Sequence, residues 1–195
     1  MDTFFDNFFL GIEKIAKTLD KTKIESVITS IKKIKLNNGR LFFLGVGGSA
    51  ANCSHAVNDF RKLCNIECYS PVDNVSELTA RINDSGWNSS FENWLKVSKI
   101  NSNDGIFVFS VGGGDLSRRV SVNIINALKY AKKRKCKIFG IIGKSNSFTE
   151  KIANFTILIP TVNKDLITPF SESFQAVIWH YIVSHPKLKV NKTKW

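Results

Sequence analysis

The amino-acid sequence predicts a doubly wound α/β fold, a parallel sheet with helices on both faces. Short apolar runs alternate with helix-patterned stretches of about 10 to 15 residues. Two of those runs end directly in glycine-rich turns. A chain of 195 residues with 43% hydrophobic and 23% charged content has the make-up of one compact domain with a sizeable core. We therefore expect a single domain over 1–195, with helices over 1–36, an α/β core over 37–185 and a basic tail over 186–195.

The elements follow in order. Phe4, Phe5, Phe8, Phe9, Ile12, Ile15, Ala16 and Leu19, then Ile24, Val27, Ile28, Ile31 and Ile34, recur at helical spacing, giving two helices broken near Asp20 to Thr22. Asn37-Asn38-Gly39 stops the second. Leu41–Leu44 is short, wholly apolar and flanked by glycines, which favours a buried strand. The alternation then repeats, with strands over 106–110, 137–142 and 155–159 separated by helices over 121–132 and 147–153. A last helix over 168–184 takes Thr168 as cap and Pro169 at its first position, and carries Phe174, Val177, Ile178, Tyr181 and Ile182 at core spacing. Asn83 and Asp84 read as part of an Asx-rich loop.

Composition narrows the function classes. Apolar runs such as 41–46 and 138–142 fall far short of the roughly 18 residues of a membrane span, so no membrane partner is expected. The first residues carry Asp2, Asp6 and Glu13 and no basic segment or small-residue cleavage site, so no secretory signal is expected. Cys53, Cys64, Cys68 and Cys136 form no C-x-x-C pair and read as reduced core residues of a cytoplasmic protein. The net charge of +12 suits nucleic acid, an anionic surface or an anionic small substrate. Much of it lies in solvated runs, Lys32-Lys33-Lys35, 132–137 and 187–194, where lysines meet helix ends. No basic and aromatic interleaved face supports a nucleic-acid partner.

In open α/β sheets ligands bind beyond the carboxyl ends of the strands, so the turns there come first. Gly45-Val46-Gly47-Gly48-Ser49-Ala50 joins a strand to a helix, where glycines let backbone N–H groups approach an anion. It has neither G-x-G-x-x-G spacing nor a Gly-Lys-Ser/Thr ending, which argues against a dinucleotide or a nucleoside triphosphate. Ser110-Val111-Gly112-Gly113-Gly114-Asp115 is the second such turn, with Ser121 opening the next helix. A small phosphate between the two turns suits these donors. His55 and Asp59 stand at i and i+4 on one helix face, and Glu172 and His180 share a face of the last helix a little over two turns apart. Two histidines and two carboxylates suit a tetrahedral divalent-metal site or an acid/base pair; equally, each histidine reads as a satisfied, partly buried helix residue. His185, beside Pro186, reads as structural.

GVGGSAANCSHAVNDF, Asn83-Asp84-Ser85-Gly86-Trp87, SVGGG with VSVNIINAL, and Glu172 with His180 together resemble the sugar isomerase (SIS) domain, and within it the phosphoheptose isomerase group. The resemblance runs from the N-terminal helices to about Ser184, with the motifs in order. It implies a five-stranded parallel sheet, a homotetramer with sites between subunits, and conversion of sedoheptulose 7-phosphate to D-glycero-D-manno-heptose 7-phosphate. It implies substrate contacts from Val46, Gly47, Gly48, Ser49, Asp59, Asn83, Asp84, Ser110, Val111, Gly112, Ser121 and Glu172. It also implies zinc or another divalent ion on His55, Asp59, Glu172 and His180, with Asp59 as base and His180 as acid. Four departures stand out: Val46 for a usual Asn, Asp59 for a usual Glu, Glu172 for a common Gln, and a second turn about six residues longer, with Asp115, Ser117, Arg118 and Arg119. The enlarged turn suggests an arginine on the sugar phosphate, against the alternative of a solvated loop. The rival to an isomerase is a non-catalytic SIS scaffold or sugar-phosphate-binding regulatory protein of the replication-initiator-binding kind.

Overall fold

A computed structural model describes residues 3–193. Two helices, α1 (Thr3–Thr18) and α2 (Lys21–Leu36), lead into the sheet. They part at Asp20, whose carboxylate accepts from the backbone N–H of Lys23 at 3.0 Å and caps α2. The five strands are β1 (Leu41–Leu44), β2 (Cys68–Tyr69), β3 (Gly105–Ser110), β4 (Lys137–Ile142) and β5 (Phe155–Leu158). All pair in parallel in the order β2-β1-β3-β4-β5. Between them lie α3 (Gly48–Cys64), α4 (Val75–Ser85), α5 (Ser90–Val97), α6 (Val122–Lys133) and α7 (Phe148–Ile152), and α8 (Ile167–Ser184) follows β5. The order reverses direction between β1 and β3, and the turns after those two strands are the two glycine-rich ones.

The strands are apolar on both faces because both faces are covered. On one side Phe43, Phe107, Phe109 and Phe139 pack with residues of α2, α3 and α8, including Ile31, Phe60, Phe174 and Trp179. On the other, Phe42, Ile106, Val108 and Ile138 pack with Phe91 and Leu95 of α5 and Ile124 and Leu128 of α6. Some aromatic strand residues meet edge-on, as Phe43 does with Phe109 at 5.7 Å and Phe107 with Phe109 at 5.1 Å, and others stack, as Phe43 does with Phe107 at 5.4 Å.

The structure departs from expectation in three places. The two-residue β2 is too short to leave a pattern in the sequence. Asn83 and Asp84 lie not in a loop but in the last turn of α4, a helix capped by Asn74, whose side chain accepts from the N–H of Glu77 at 3.2 Å. An Asn-x-x-Glu spacing at 74–77 was the available signal. Finally, α8 begins at Ile167 with Leu166 as its cap, so Pro169 occupies the third helical position. Proline is still tolerated there because first-turn N–H groups have no intrahelical acceptor.

All four cysteines are buried and free. The basic tail folds back over 188–191: Leu188 is buried and the N–H groups of Val190 and Asn191 bond the carbonyl of Leu63. Lys194, at the end of that run, and Asp2 lie outside the described residues. No helix among the described residues is long and apolar enough to cross a membrane.

Candidate active site

The first glycine turn is tight enough to require glycine. A Cβ on Gly45 would stand 2.5 Å from the carbonyl oxygen of Ser49, and Gly47 sits at φ 64° as the cap of α3. The turn leaves Val46, Gly47 and Gly48 exposed and buries Ser49. From it α3 runs beside α8 in the same direction, and a buried polar ladder sets their register. Gln175, wholly buried on α8, donates to Ser49 Oγ at 3.0 Å and accepts from Asn52 Nδ2 at 3.0 Å, while Asn52 also donates to the carbonyl of Glu172 at 2.9 Å. Neither Asn52 nor Gln175 was singled out from the sequence. Their signal is a polar residue on the apolar face of each helix.

One to two turns further along, that register brings His55, Asp59 and His180 together. One ligand atom from each lies within 4.8 Å of the others. Asp59 Oδ2 is 4.0 Å from His55 Nε2 and 3.8 Å from His180 Nε2, while Oδ1 accepts from Asn58 Nδ2 at 2.9 Å. The carboxylate is buried and both imidazoles are about half exposed, so the charge lies at the bottom of a site whose rims are rings. Trp179 packs under both rings, stacked on His180 with centroids 3.5 Å apart and edge-on to His55 at 4.7 Å.

Three nitrogen and oxygen donors so placed fit a divalent cation. Tetrahedral zinc with bonds of about 2.0 to 2.2 Å holds its donors about 3.3 to 3.6 Å apart. The Asp59 pairs, at 3.8 and 4.0 Å, stand a few tenths of an ångström outside that range, and all three donors lie within 4.8 Å of one another. His180 Nδ1 is bonded to the carbonyl of Ala176 at 2.8 Å. A carbonyl only accepts, so Nδ1 carries the hydrogen, and Nε2 of the neutral ring faces Asp59 with its lone pair, as in many metal-bound histidines.

Glu172 is not part of this group. Its carboxylate lies against Gly48, where a Cβ would meet Oε2 at 2.5 Å. The expected four-residue cluster is corrected to three for a geometric reason: eight residues carry α8 about 12 Å along its axis, so Glu172 belongs to the level of the glycine turn. It makes the first turn electronegative, which disfavours a phosphate there.

The second turn is anchored by Ser110, whose buried Oγ accepts from the N–H of Gly113 at 3.0 Å. Val111 and Gly112 are partly exposed. Ser121 caps α6 in the left-handed region, φ 54°, and its hydroxyl makes no capping bond, which leaves it available to a ligand. Asn83 Nδ2 bonds Asp84 Oδ1 at 2.9 Å, so these two meet each other on the exposed end of α4 rather than the histidines. In the enlarged part of the turn Asp115 and Val120 exchange two backbone bonds of 3.0 and 2.9 Å, closing a small hairpin. Arg118 and Arg119 are exposed at its tip, and Arg118 Nε lies 3.8 Å from Asp115 Oδ2. That is the solvated-loop arrangement, and the expectation of an arginine committed to phosphate gains nothing from it. His185 stands apart from this group, 3.2 Å from Glu25 on α2.

No family model matches the chain. Among curated proteins it is 28% identical over 158 residues to a lincomycin biosynthesis protein of Streptomyces lincolnensis, covering 75% of the chain and 56% of that protein. The chain thus spans little more than half of that relative. It is 27% identical over 177 residues to a phosphoheptose isomerase of Nitratiruptor, covering 88% of each. The fold matches a phosphoheptose isomerase structure from Francisella tularensis with a TM-score of 0.78 at 18% identity over 93% of each chain. It also matches the NanR protein of Vibrio vulnificus complexed with ManNAc-6P, with a TM-score of 0.64 at 12% identity over 91% of this chain and 58% of that one. The chain has the fold of the sugar isomerase proteins and is related in sequence to the phosphoheptose isomerases.

Proposed function

We propose that this protein is a phosphosugar aldose–ketose isomerase acting on sedoheptulose 7-phosphate or a close ketose phosphate. The observation that carries the reading is the convergence of His55, Asp59 and His180 on the helix pair that follows from the glycine turn at the strand-order reversal. A non-catalytic scaffold has no need of it. The relatives named phosphoheptose isomerase support the same reaction class.

Isomerisation moves one proton between neighbouring carbons and one between their oxygens. In our reading Asp59 takes the carbon-bound proton of the ketose at C1 and returns it to C2, passing through an enediol. His180 Nε2, the acceptor nitrogen, takes the hydroxyl proton from the C1 oxygen and delivers it to the C2 oxygen, acting as acid in that second half. The second turn and Ser121 hold the phosphate, and Gly47, Gly48 and Glu172 face the hydroxyl-bearing end, where a carboxylate accepts hydrogen bonds. With an ion bound, zinc by donor type, His55, Asp59 and His180 would be its ligands; the ion would then supply stabilisation of negative charge on the enediolate oxygen in place of proton transfer at His180 Nε2.

A homotetramer fits the apolar side chains exposed along α1, among them Phe9 at 52% and Leu10 at 61%. The four buried free thiols and an intracellular class of substrate support a cytoplasmic setting. The test is incubation with sedoheptulose 7-phosphate, with and without added zinc, followed by NMR for the aldose. Absence of turnover with any six- or seven-carbon ketose phosphate in the presence of metal would return the protein to the scaffold or sensor class.

A further inference from the structure

The second turn also walls a cavity of about 400 Å³ between its enlarged part and the loop after β4, lined on the turn side by Gly112, Gly114, Asp115, Leu116 and Ser117. The volume is in the range of small-molecule sites. We infer that this cavity is a second ligand site, for a small organic phosphate with a planar or apolar ring of the nucleoside monophosphate class.

Three observations carry the inference. The floor is built rather than loose. The carbonyl of Gly113 accepts from both the N–H of Thr149 at 2.9 Å and its Oγ1 at 2.8 Å, that of Gly114 accepts from Phe148 N–H at 3.0 Å, and Gly143 N–H donates to Val111 at 3.0 Å. With the Asp115–Val120 hairpin these bonds fix both walls before any ligand arrives, which lowers the ordering cost of binding.

The lining carries two lysines against one carboxylate, Asp115. Lys144 and Lys151 both line the cavity, and neither has an ion-pair partner among the described residues. The lining carboxylate Asp115 and the neighbouring Glu150 spend acceptor positions on their own loops rather than on these lysines. Asp115 accepts from Ser117 Oγ at 2.7 Å and Arg118 N–H at 3.1 Å, and Glu150 accepts from Asn146 N–H at 2.5 Å. Neither ammonium group is paired, and the lining keeps one positive charge in excess for an anion.

The third observation is the apolar side. Leu116, 50% exposed at the hairpin, and Phe148 line the same cavity and offer a surface to a ring. A bare inorganic anion would leave that surface wet, and a dinucleotide exceeds the volume.

The test is calorimetric titration of AMP, CMP and inorganic phosphate into the intact protein, wild type and Lys144→Ala/Lys151→Ala. Both lysines are exposed and outside the proposed catalytic group, so folding and basal turnover should be unchanged. We expect submillimolar binding of a nucleoside monophosphate to wild type, at least tenfold weaker in the double variant and retained in Asp59→Asn. A Leu116→Ser variant should weaken the nucleotide without changing the response to inorganic phosphate. Absence of binding at millimolar nucleotide, equal affinity in wild type and double variant, or equal affinity for inorganic phosphate and nucleotide would each overturn the inference. The readout needs no turnover, so its failure is separate from failure of the isomerase reading.

Discussion

His180 Nδ1 is bonded to the carbonyl oxygen of Ala176, one turn earlier on α8, at 2.8 Å. In the neutral ring this one bond places the hydrogen on Nδ1 and the free lone pair on the nitrogen facing Asp59. The ring is thereby prepared to bind a metal or to accept a proton, and the predictions begin there.

Zinc should stabilise the folded protein, since the three donors are assembled only when α3 and α8 are packed. At a free zinc concentration of 100 times the dissociation constant the gain is about 2.7 kcal/mol, or roughly 5 to 10 °C in melting temperature for a chain of this size. A chelator should remove the shift and lower turnover, and His55→Ala should abolish the shift. A melting curve unmoved by zinc in wild type would refute the metal assignment.

Asp59→Asn keeps the shape and the bond from Asn58 while removing the base. Turnover should fall by about 10² to 10⁴, the usual contribution of a positioned proton-transfer group, with KM changed far less. Asp59→Glu should retain more activity than Asp59→Asn. The comparison is steady-state kinetics on both variants, with circular dichroism to confirm that each is folded.

Two neighbouring glycines should respond differently to alanine. Gly113 has φ 64°, and a Cβ there would stand 2.6 Å from Cβ of Ser147, so Gly113→Ala should cost more than about 1 kcal/mol. Gly112 has open space where a Cβ would go, and Gly112→Ala should change stability by less than about 0.5 kcal/mol. Urea unfolding of the two variants checks the contrast.

Burial holds the thiols in their neutral form. It pushes Cys64 up to about 11 and Cys136 up to about 12, and raises Cys53 and Cys68 well above the ordinary range. The native protein should react slowly with a thiol reagent at pH 8, and all four should react quickly in denaturant. The linked stability has a fixed sign. The unfolded thiols ionise first, so the contribution is full below about pH 8.5 and is lost as the pH climbs through the folded values of about 11 and 12. Denaturant midpoints measured from pH 8 to 11 should fall steadily.

Sedimentation at micromolar concentration should give a tetramer. Phe9→Glu should shift it to smaller species without unfolding the chain, because Phe9 is 52% exposed in the monomer and contributes little to its core.

Much of this was legible in the sequence because it depends on local pattern. The periodicity of 4–36 gave α1 and α2, the Leu41–Leu44 run gave β1, and the glycine turns marked where ligands belong, since backbone crowding at Gly45 and a positive φ at Gly47 are demands the chain states residue by residue. Spacing alone also put His55 and Asp59 on one face. What spacing could not decide is which level of one helix meets which level of another. That was set by the packing of α3 beside α8 and the ladder from Ser49 through Gln175 to Asn52, which brought His180 to Asp59 and left Glu172 at Gly48. Contacts between residues more than a hundred positions apart are fixed by the summed fit of two buried surfaces, and no short stretch of sequence carries that information.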